Sequence, residues 1–232
     1  MPSLFDPYLS ILKDLILESW LAVRNDSLKI KVKMELKTFF PLMIKVYRNA
    51  ENLQLRGEKV ANADKIFSVF QAHTDILVKG QREVEFGHKV LITRGSSNLI
   101  LDHEVFEGNP SDKALLLPSI VNIKANYGRT PQSTSNDGGF CSNANLEGCR
   151  KLGLINVVFT KVTKSLRNLV SSPELENILK KWRGTTEAVI SNLKRGFDLQ
   201  RVTWEGFNGF CSKVAWSILG YNLRVMVNRM LL

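Results

Sequence analysis

Apolar positions along the first fifty residues recur at helical intervals. Leu4, Tyr8, Ile11, Leu12 and Leu15 follow one another at steps of one, three and four, the pattern of one buried helical face, and Ala22 and Val23 resume it after Ser19. A second run over residues 28–47 interleaves lysines with Ile30, Val32, Met34, Leu36 and Phe40, and Pro41 is expected to kink or divide it. The pattern changes near residue 65. Residues 66–70 and 74–78 are short apolar segments, and residues 86–93 read as a strand. Arg94-Gly-Ser-Ser-Asn98 supplies turn chemistry before a second strand over 99–106, which predicts a hairpin. Gly108-Asn-Pro110 ends it, and Ser111 stands as the N-cap of a helix over 112–126 that Pro118 bends or splits. A short strand over 132–136 stops at Asp137-Gly-Gly139. A helix over 142–152 and a buried strand over 155–160 follow. Everything after Pro173 is helical by periodicity, with Gly206 and Gly209 marking a break between two long helices. A hairpin followed by strands alternating with helices predicts an α/β chain with a mixed sheet covered by helices.

Composition narrows the classes. In 232 residues, 44% are hydrophobic and 23% charged, a globular balance with enough chain for a real core. No run reaches the length of uncharged apolar sequence that crosses a bilayer, and Asp6 and Asp14 spoil a signal-peptide layout. Cys141, Cys149 and Cys211 are odd in number and form no CxxC pair, which argues against a disulfide scaffold or a zinc ribbon. The net charge of +10 is uneven: residues 1–146 hold 18 basic and 16 acidic side chains, residues 147–232 hold 14 and 6. A basic C-terminal third suits a polyanion, since bound phosphates release their counterions, and equally suits a solvated basic surface.

Two carboxylates stand out. Asp137 follows a strand and precedes two glycines, and ligands gather at the C-terminal ends of strands in α/β sheets, where glycine lets a metal or phosphate approach the backbone. Taken alone, it is more often only an Asp-Gly turn. Glu187 shares a helical face with Arg183, Ser191 and Lys194, while Val189, Leu193 and Phe197 point elsewhere. One acid among bases can hold a cation while its neighbours clamp phosphates; alone, it is more often a solvated Arg–Glu pair.

The two elements gain meaning in series. Gly108-Asn-Pro-Ser-Asp112, Asp137-Gly-Gly-Phe140, Trp182-Arg-Gly-Thr-Thr-Glu187, Ile190-Ser-Asn-Leu-Lys-Arg-Gly-Phe197 and Tyr221-Asn-Leu223 together resemble the catalytic half of bacterial insertion-sequence transposases of the DDE type. His73-Thr-Asp-Ile-Leu-Val-Lys79 and Glu85-Phe-Gly-His-Lys-Val90 resemble the same family, as do Arg56-Gly-Glu58 and Lys65-Ile-Phe-Ser68, so the likeness spans residues 54–226. The resemblance implies a ribonuclease H-like mixed sheet flanked by helices over residues 61–232, preceded by an insertion-like helical segment over 1–60. It implies that Asp137 and Glu187 are catalytic metal ligands for Mg²⁺ or Mn²⁺. Two such ions about 3.5–4 Å apart activate a nucleophile and stabilise a leaving oxygen in in-line displacement, and carboxylates suit hard cations. Arg183, Lys194, Arg195 and Arg201 would contact double-stranded DNA, at transposon ends and target. A cytoplasmic, nucleoid-associated bacterial protein, with a homodimer as a further partner, completes the implication.

That family uses three acids, and the motifs assign two. The first lies on the opening strand, which would here precede Met1, so a truncated and weakly active or inactive enzyme is expected, with neighbouring strands left unpaired. Asp75 is a substitute; Asp102 and Asp6 are weaker ones. A non-catalytic DNA-binding remnant and a ribonuclease H-like nuclease without transposition are the alternatives. His73, His88 and His103 are read as structural or surface residues rather than a zinc site. Trp182, Trp204, Trp216, Phe207 and Phe210 are expected mostly in the core, with Trp204 or Phe207 available to stack on a frayed base.

Overall fold

The computed structural model describes residues 5–61, 64–79, 83–162 and 166–231. The chain divides into two compact units, Met1–His88 and Lys89–Leu232.

The first unit opens with two helices, α1 (Asp6–Arg24) and α2 (Ile30–Ala50). Pro7 in the first turn of α1 removes a donor that has no helical partner anyway, and Arg24 closes the last turn against the dipole. The buried face differs from the expected one. Leu9 is buried with Leu12, Ile16 and Val23 half-buried, whereas Tyr8, Ile11 and Leu15 are exposed. Apolar residues surround much of α1, so a periodicity count finds two stripes and only packing selects one; Leu4 lies outside the described residues. Pro41 neither kinks α2 to a halt nor divides it, and the helix runs on into a wider turn over Glu51–Leu55. The short apolar segment 66–70 is irregular, and its Phe67 and Phe70 pack on Phe86 and Phe39. Strands β1 (Asp75–Lys79) and β2 (Glu83–Gly87) then pair antiparallel, Asp75 opposite Gly87.

The strand expected over 86–93 is thus two strands. The chain pairs backwards up to Gly87 and forwards from Lys89, where β3 (Lys89–Arg94) and β4 (Ile100–Phe106) form the anticipated hairpin. A register shift at Thr93/Arg94 turns the hairpin tip, and Asn98 takes the left-handed backbone (φ 63°) that its short amide tolerates. Helix α3 (Asp112–Tyr127) carries Pro118 without a break and ends at Gly128, φ 70°. Ser111 has the extended backbone of an N-cap but its side chain makes no cap bond. Strand β5 (Ser133–Asn136), helix α4 (Asn143–Lys151) and strand β6 (Asn156–Phe159) form a parallel β-α-β unit, with Ser133 opposite Asn156 and Asn136 opposite Phe159. All four β6 residues are buried. Helices α5 (Pro173–Gly196) and α6 (Gly206–Met230) complete the unit. Ser172 caps α5 through Leu175 N–H at 3.2 Å, Glu174 and Glu176 occupy its first turn, and Lys194 and Arg195 its last, each charge favoured by the helix dipole. The break before α6 falls between Phe197 and Glu205; Gly206 opens the helix and Gly209 lies inside it.

The expected single sheet is not seen among the described residues. The described strands make three separate two-stranded ladders, two antiparallel and one parallel, not one mixed sheet. The second edge of β6 is closed locally rather than by another strand: Val157 exchanges both backbone bonds with Leu169, and the Asn168 side chain bonds the N–H and C=O of Phe159. A short irregular segment therefore satisfies the groups that a sheet neighbour would otherwise take.

Two hydrophobic clusters hold the second unit. Leu116, Ile120, Cys149, Leu154, Val157 and Phe159 join α3, α4 and β6. Ile100, Val189, Leu193, Val214, Ile218 and Tyr221 join β4, α5 and α6. The resemblance motifs explain several joints. Lys89 of the Gly-His-Lys segment binds the Pro110 carbonyl at 2.6 Å and Asp112 at 2.5 Å, clamping the Gly-Asn-Pro-Ser-Asp turn. Tyr221 donates to the Asn98 carbonyl at 3.1 Å, and the Asn222 amide pairs with both the N–H and the C=O of Ile100 at 2.9 Å. Asn222 thus continues the β4 ladder with a side chain. Asn222→Ala should leave two backbone groups of buried Ile100 without partners, at about 1–3 kcal/mol each. Urea unfolding followed by circular dichroism checks this, and a loss well under 1 kcal/mol would discount the joint.

Candidate functional site

The C-terminal ends of β5 and β6 lie side by side, because the chain crosses over through α4 and the two strands pair parallel. Asp137 follows the last residue of β5 and Thr160 the last residue of β6. Asp137 Oδ1 accepts from Gly138 N–H at 2.7 Å and from Thr160 Oγ1 at 3.2 Å. Helix α5 crosses this edge, anchored where the Ser135 hydroxyl donates to the Leu179 carbonyl at 2.6 Å. One turn later Arg183 extends back to the strand ends. Its Nη2 donates to Asp137 Oδ2 at 3.0 Å and its Nη1 to Glu187 Oε1 at 3.2 Å.

One guanidinium therefore bridges two acids that are fifty positions apart in sequence, and brings them within about a nanometre. The bridge is sheltered and the acids are open: Arg183 is 17% exposed, Asp137 52% and Glu187 71%. Burial raises the Asp137 pKa, but the Gly138 N–H, the Arg183 charge and bond, and Thr160 together hold it below the usual carboxylate value. The sign follows. The ionised form is favoured by folding, so this contribution to stability is present above the unfolded pKa and is lost as the pH falls through the lowered one.

Asp137 is held by close packing around both glycines. A Cβ on Gly138 would meet the Lys161 Cβ at 2.8 Å, and one on Gly139 would run into the Asp112 carboxylate. Protein neighbours thus press on both glycines. Asn145 donates to the Phe140 carbonyl at 2.8 Å and the Lys113 carbonyl at 2.9 Å, tying the turn to α3.

A residue outside the expected set fixes the Glu187 side. Arg94, at the hairpin tip, donates to the Trp182 carbonyl at 2.9 Å and to Thr185 Oγ1 at 2.5 Å, and also bonds Asn98. Thr185 and Thr186 hydroxyls donate to the same carbonyl. The turn of α5 between Arg183 and Glu187 is thus pinned to β3–β4. Nothing in an Arg-Gly turn signals such a partner 88 positions away; only the register shift next to it marks the place.

The remaining expected residues are dispersed. Lys194 and Arg195 end α5, and exposed Arg201 lies in the link to α6. Asp75 lies 3.4 Å from His88, which stacks on His73 with ring nitrogens 2.7 Å apart, inside the first unit. Asp102 and His103 sit in β4, opposite Thr93 and Ile92, and exposed Asp6 begins α1. Trp182, Trp204 and Trp216 are exposed rather than in the core, whereas Phe210 packs on the second cluster. Cys141 and Cys149 are buried and unpaired, and burial pushes the Cys149 thiol up to about 11.

The donors at the strand ends fit a hard divalent cation. Carboxylate and hydroxyl oxygens are the ligands such ions prefer, and the two acids already grip a cation in the form of Arg183. The set is short, however: among the described residues no group of three or more His, Cys, Asp or Glu side chains is disposed to hold a metal.

The arrangement is an acid pair bridged by one guanidinium at parallel strand ends, on a helix whose last turn carries Lys194 and Arg195. The transposase DDE domain family matches residues 78–223, more than half of the chain, and the chain belongs to that family. No curated protein and no solved structure matches it. Transposition acts on DNA, and the family works with divalent metal ions. None of the described helices is long and apolar enough to cross a membrane.

Proposed function

We propose that the chain cleaves and joins DNA strands at the ends of its own mobile element by metal-assisted phosphoryl transfer, on a ribonuclease H-like catalytic domain over residues 61–232. One observation carries the reading: Asp137 and Glu187 converge on a single cationic group at the C-terminal edge of β5–β6. Asp137 and Glu187 would hold Mg²⁺ or Mn²⁺, with Thr160 orienting Asp137 and Arg94 setting the Glu187 turn. When bound, such ions polarise the scissile phosphate and activate the attacking oxygen. The protein positions the DNA backbone. Lys194 and Arg195 in the last turn of α5 and Arg201 in the link beyond it would supply positive charge for that backbone, and Arg183 bridges the two acids.

The test is a labelled duplex bearing an element end, incubated with the chain and Mg²⁺ or Mn²⁺. Strand-joined products support transposition, whereas nicks without joining point to a plain nuclease. Binding without any strand cleavage favours a non-catalytic DNA-binding protein. That second reading draws on the ligand set, since among the described residues no group of three or more His, Cys, Asp or Glu side chains is disposed to hold a metal.

A further inference from the structure

We infer that Arg183 is a built-in competitor for the divalent cation. Its guanidinium bonds one carboxylate oxygen of each of Asp137 and Glu187, the acids a metal ion would need, and metal binding would require it to withdraw. The inference rests on the metal-site reading above and goes beyond it, because it assigns Arg183 a role opposite to that of a residue that merely orients the acids.

Geometry carries it. The two bonds, 3.0 Å to Asp137 and 3.2 Å to Glu187, use both terminal nitrogens of one planar fork, so the acids are held by the same group at the same time. Arg183 is the most sheltered member of the trio. A cation that is shielded from solvent and bonded twice neutralises the acids better than an exposed lysine would. Asp137 has its other oxygen committed to Gly138 and Thr160, so the oxygen facing Arg183 is the one it has left to offer. The i,i+4 relation of Arg183 to Glu187 also keeps the guanidinium close to one acid after it leaves the other. Arg183 can therefore swing along its own helix instead of unfolding it. Once released, the same fork is available to a backbone phosphate, which it can bind bidentately.

The competing role makes an unusual prediction: removing Arg183 should strengthen metal binding. Mn²⁺ titration of the DNA-free chain, followed by electron paramagnetic resonance of the free ion, measures it directly. Arg183→Gln is expected to raise the Mn²⁺ affinity on the order of tenfold, the scale of one unit charge removed a few ångströms from a cation in a partly screened setting. Arg183→Lys keeps the charge but offers a point donor that cannot span both acids, and should fall between the two. It also provides the test if Arg183→Gln does not fold by circular dichroism. Arg150→Gln is the control for net charge. Arg150 ends α4, which runs back to the N-terminal end of β6, and a screened charge there should change the affinity less than about twofold. If Arg183→Gln binds Mn²⁺ as the parent does, or more weakly, Arg183 is an orienting residue and the competition is refuted while the metal site stands. If neither chain binds Mn²⁺, both the competition and the metal-site reading fall.

Discussion

Glu187→Gln is expected to lower metal-dependent strand cleavage by at least about 100-fold, the scale seen when one group that stabilises transition-state charge is removed. The isosteric amide keeps the shape of the α5 face but loses the charge. A neutral oxygen is a weaker ligand for a hard cation, and it also loosens its grip on Arg183 at 3.2 Å. Asp137→Asn should have a comparable effect, with a further cost to the turn because Oδ1 accepts from both Gly138 and Thr160. Neither change should unfold the protein. Glu187 is 71% exposed, and an ion pair of that exposure is worth about 0–1 kcal/mol. The useful experiment therefore measures cleavage, Mn²⁺ binding and thermal unfolding on the same samples. Lost cleavage and lost metal binding with an unchanged melting curve place Glu187 in the site. An unchanged cleavage rate removes it.

Phe159→Ala is expected to cost about 3–5 kcal/mol, because the truncation removes a large buried side chain and leaves a cavity that the surroundings fill only in part. Phe159 is fully buried and lies within the cluster that joins α3, α4 and β6. A loss of that size is a large fraction of the stability of an ordinary domain, about 5–15 kcal/mol. The effect should reach the site as well. Phe159 is the strand partner of Asn136, the residue before Asp137, and it precedes Thr160. If β6 recedes into the cavity, Thr160 moves away from Asp137 and the acid pair loosens. Denaturant unfolding measures the stability, and Mn²⁺ titration at low temperature, where the variant is still folded, measures the site. A cost below about 1 kcal/mol would mean that this core is not packed around Phe159.

Much of the architecture was legible in the chain. Turn residues at Arg94–Asn98, an apolar run at 155–160, and the Ser172-Pro173 start of a long amphipathic helix each express a local rule, and local rules are written in adjacent residues. The motifs Asp137-Gly-Gly and Arg183 to Glu187 were legible for the same reason, as an acid at a strand end and an i,i+4 pair on one face. Their meaning was harder to see, since each alone is commonplace.

Elsewhere the local rules were ambiguous. Residues 86–93 are uniformly strand-like, and nothing local tells the chain to pair backwards before His88 and forwards after it. Helix α1 has apolar residues on more than one side, so periodicity alone misplaced its buried face onto Tyr8, Ile11 and Leu15. The single mixed sheet is not seen among the described residues, where the segment around Asn168 closes the second edge of β6 that a strand neighbour would otherwise take.

By itself, then, the sequence determined the order and type of most elements and the basic C-terminal third, and it singled out Asp137, Glu187 and Arg183 as candidates. Tertiary structure alone decided that Arg183 joins the acids, that Arg94 and Asn222 tie the hairpin to α5 and α6, and that protein atoms fill the space beside the two glycines. The division has a physical cause. Hydrophobic periodicity and backbone preference act between residues a few positions apart, while a hydrogen bond across 46 or 122 positions depends on where the intervening chain has already packed.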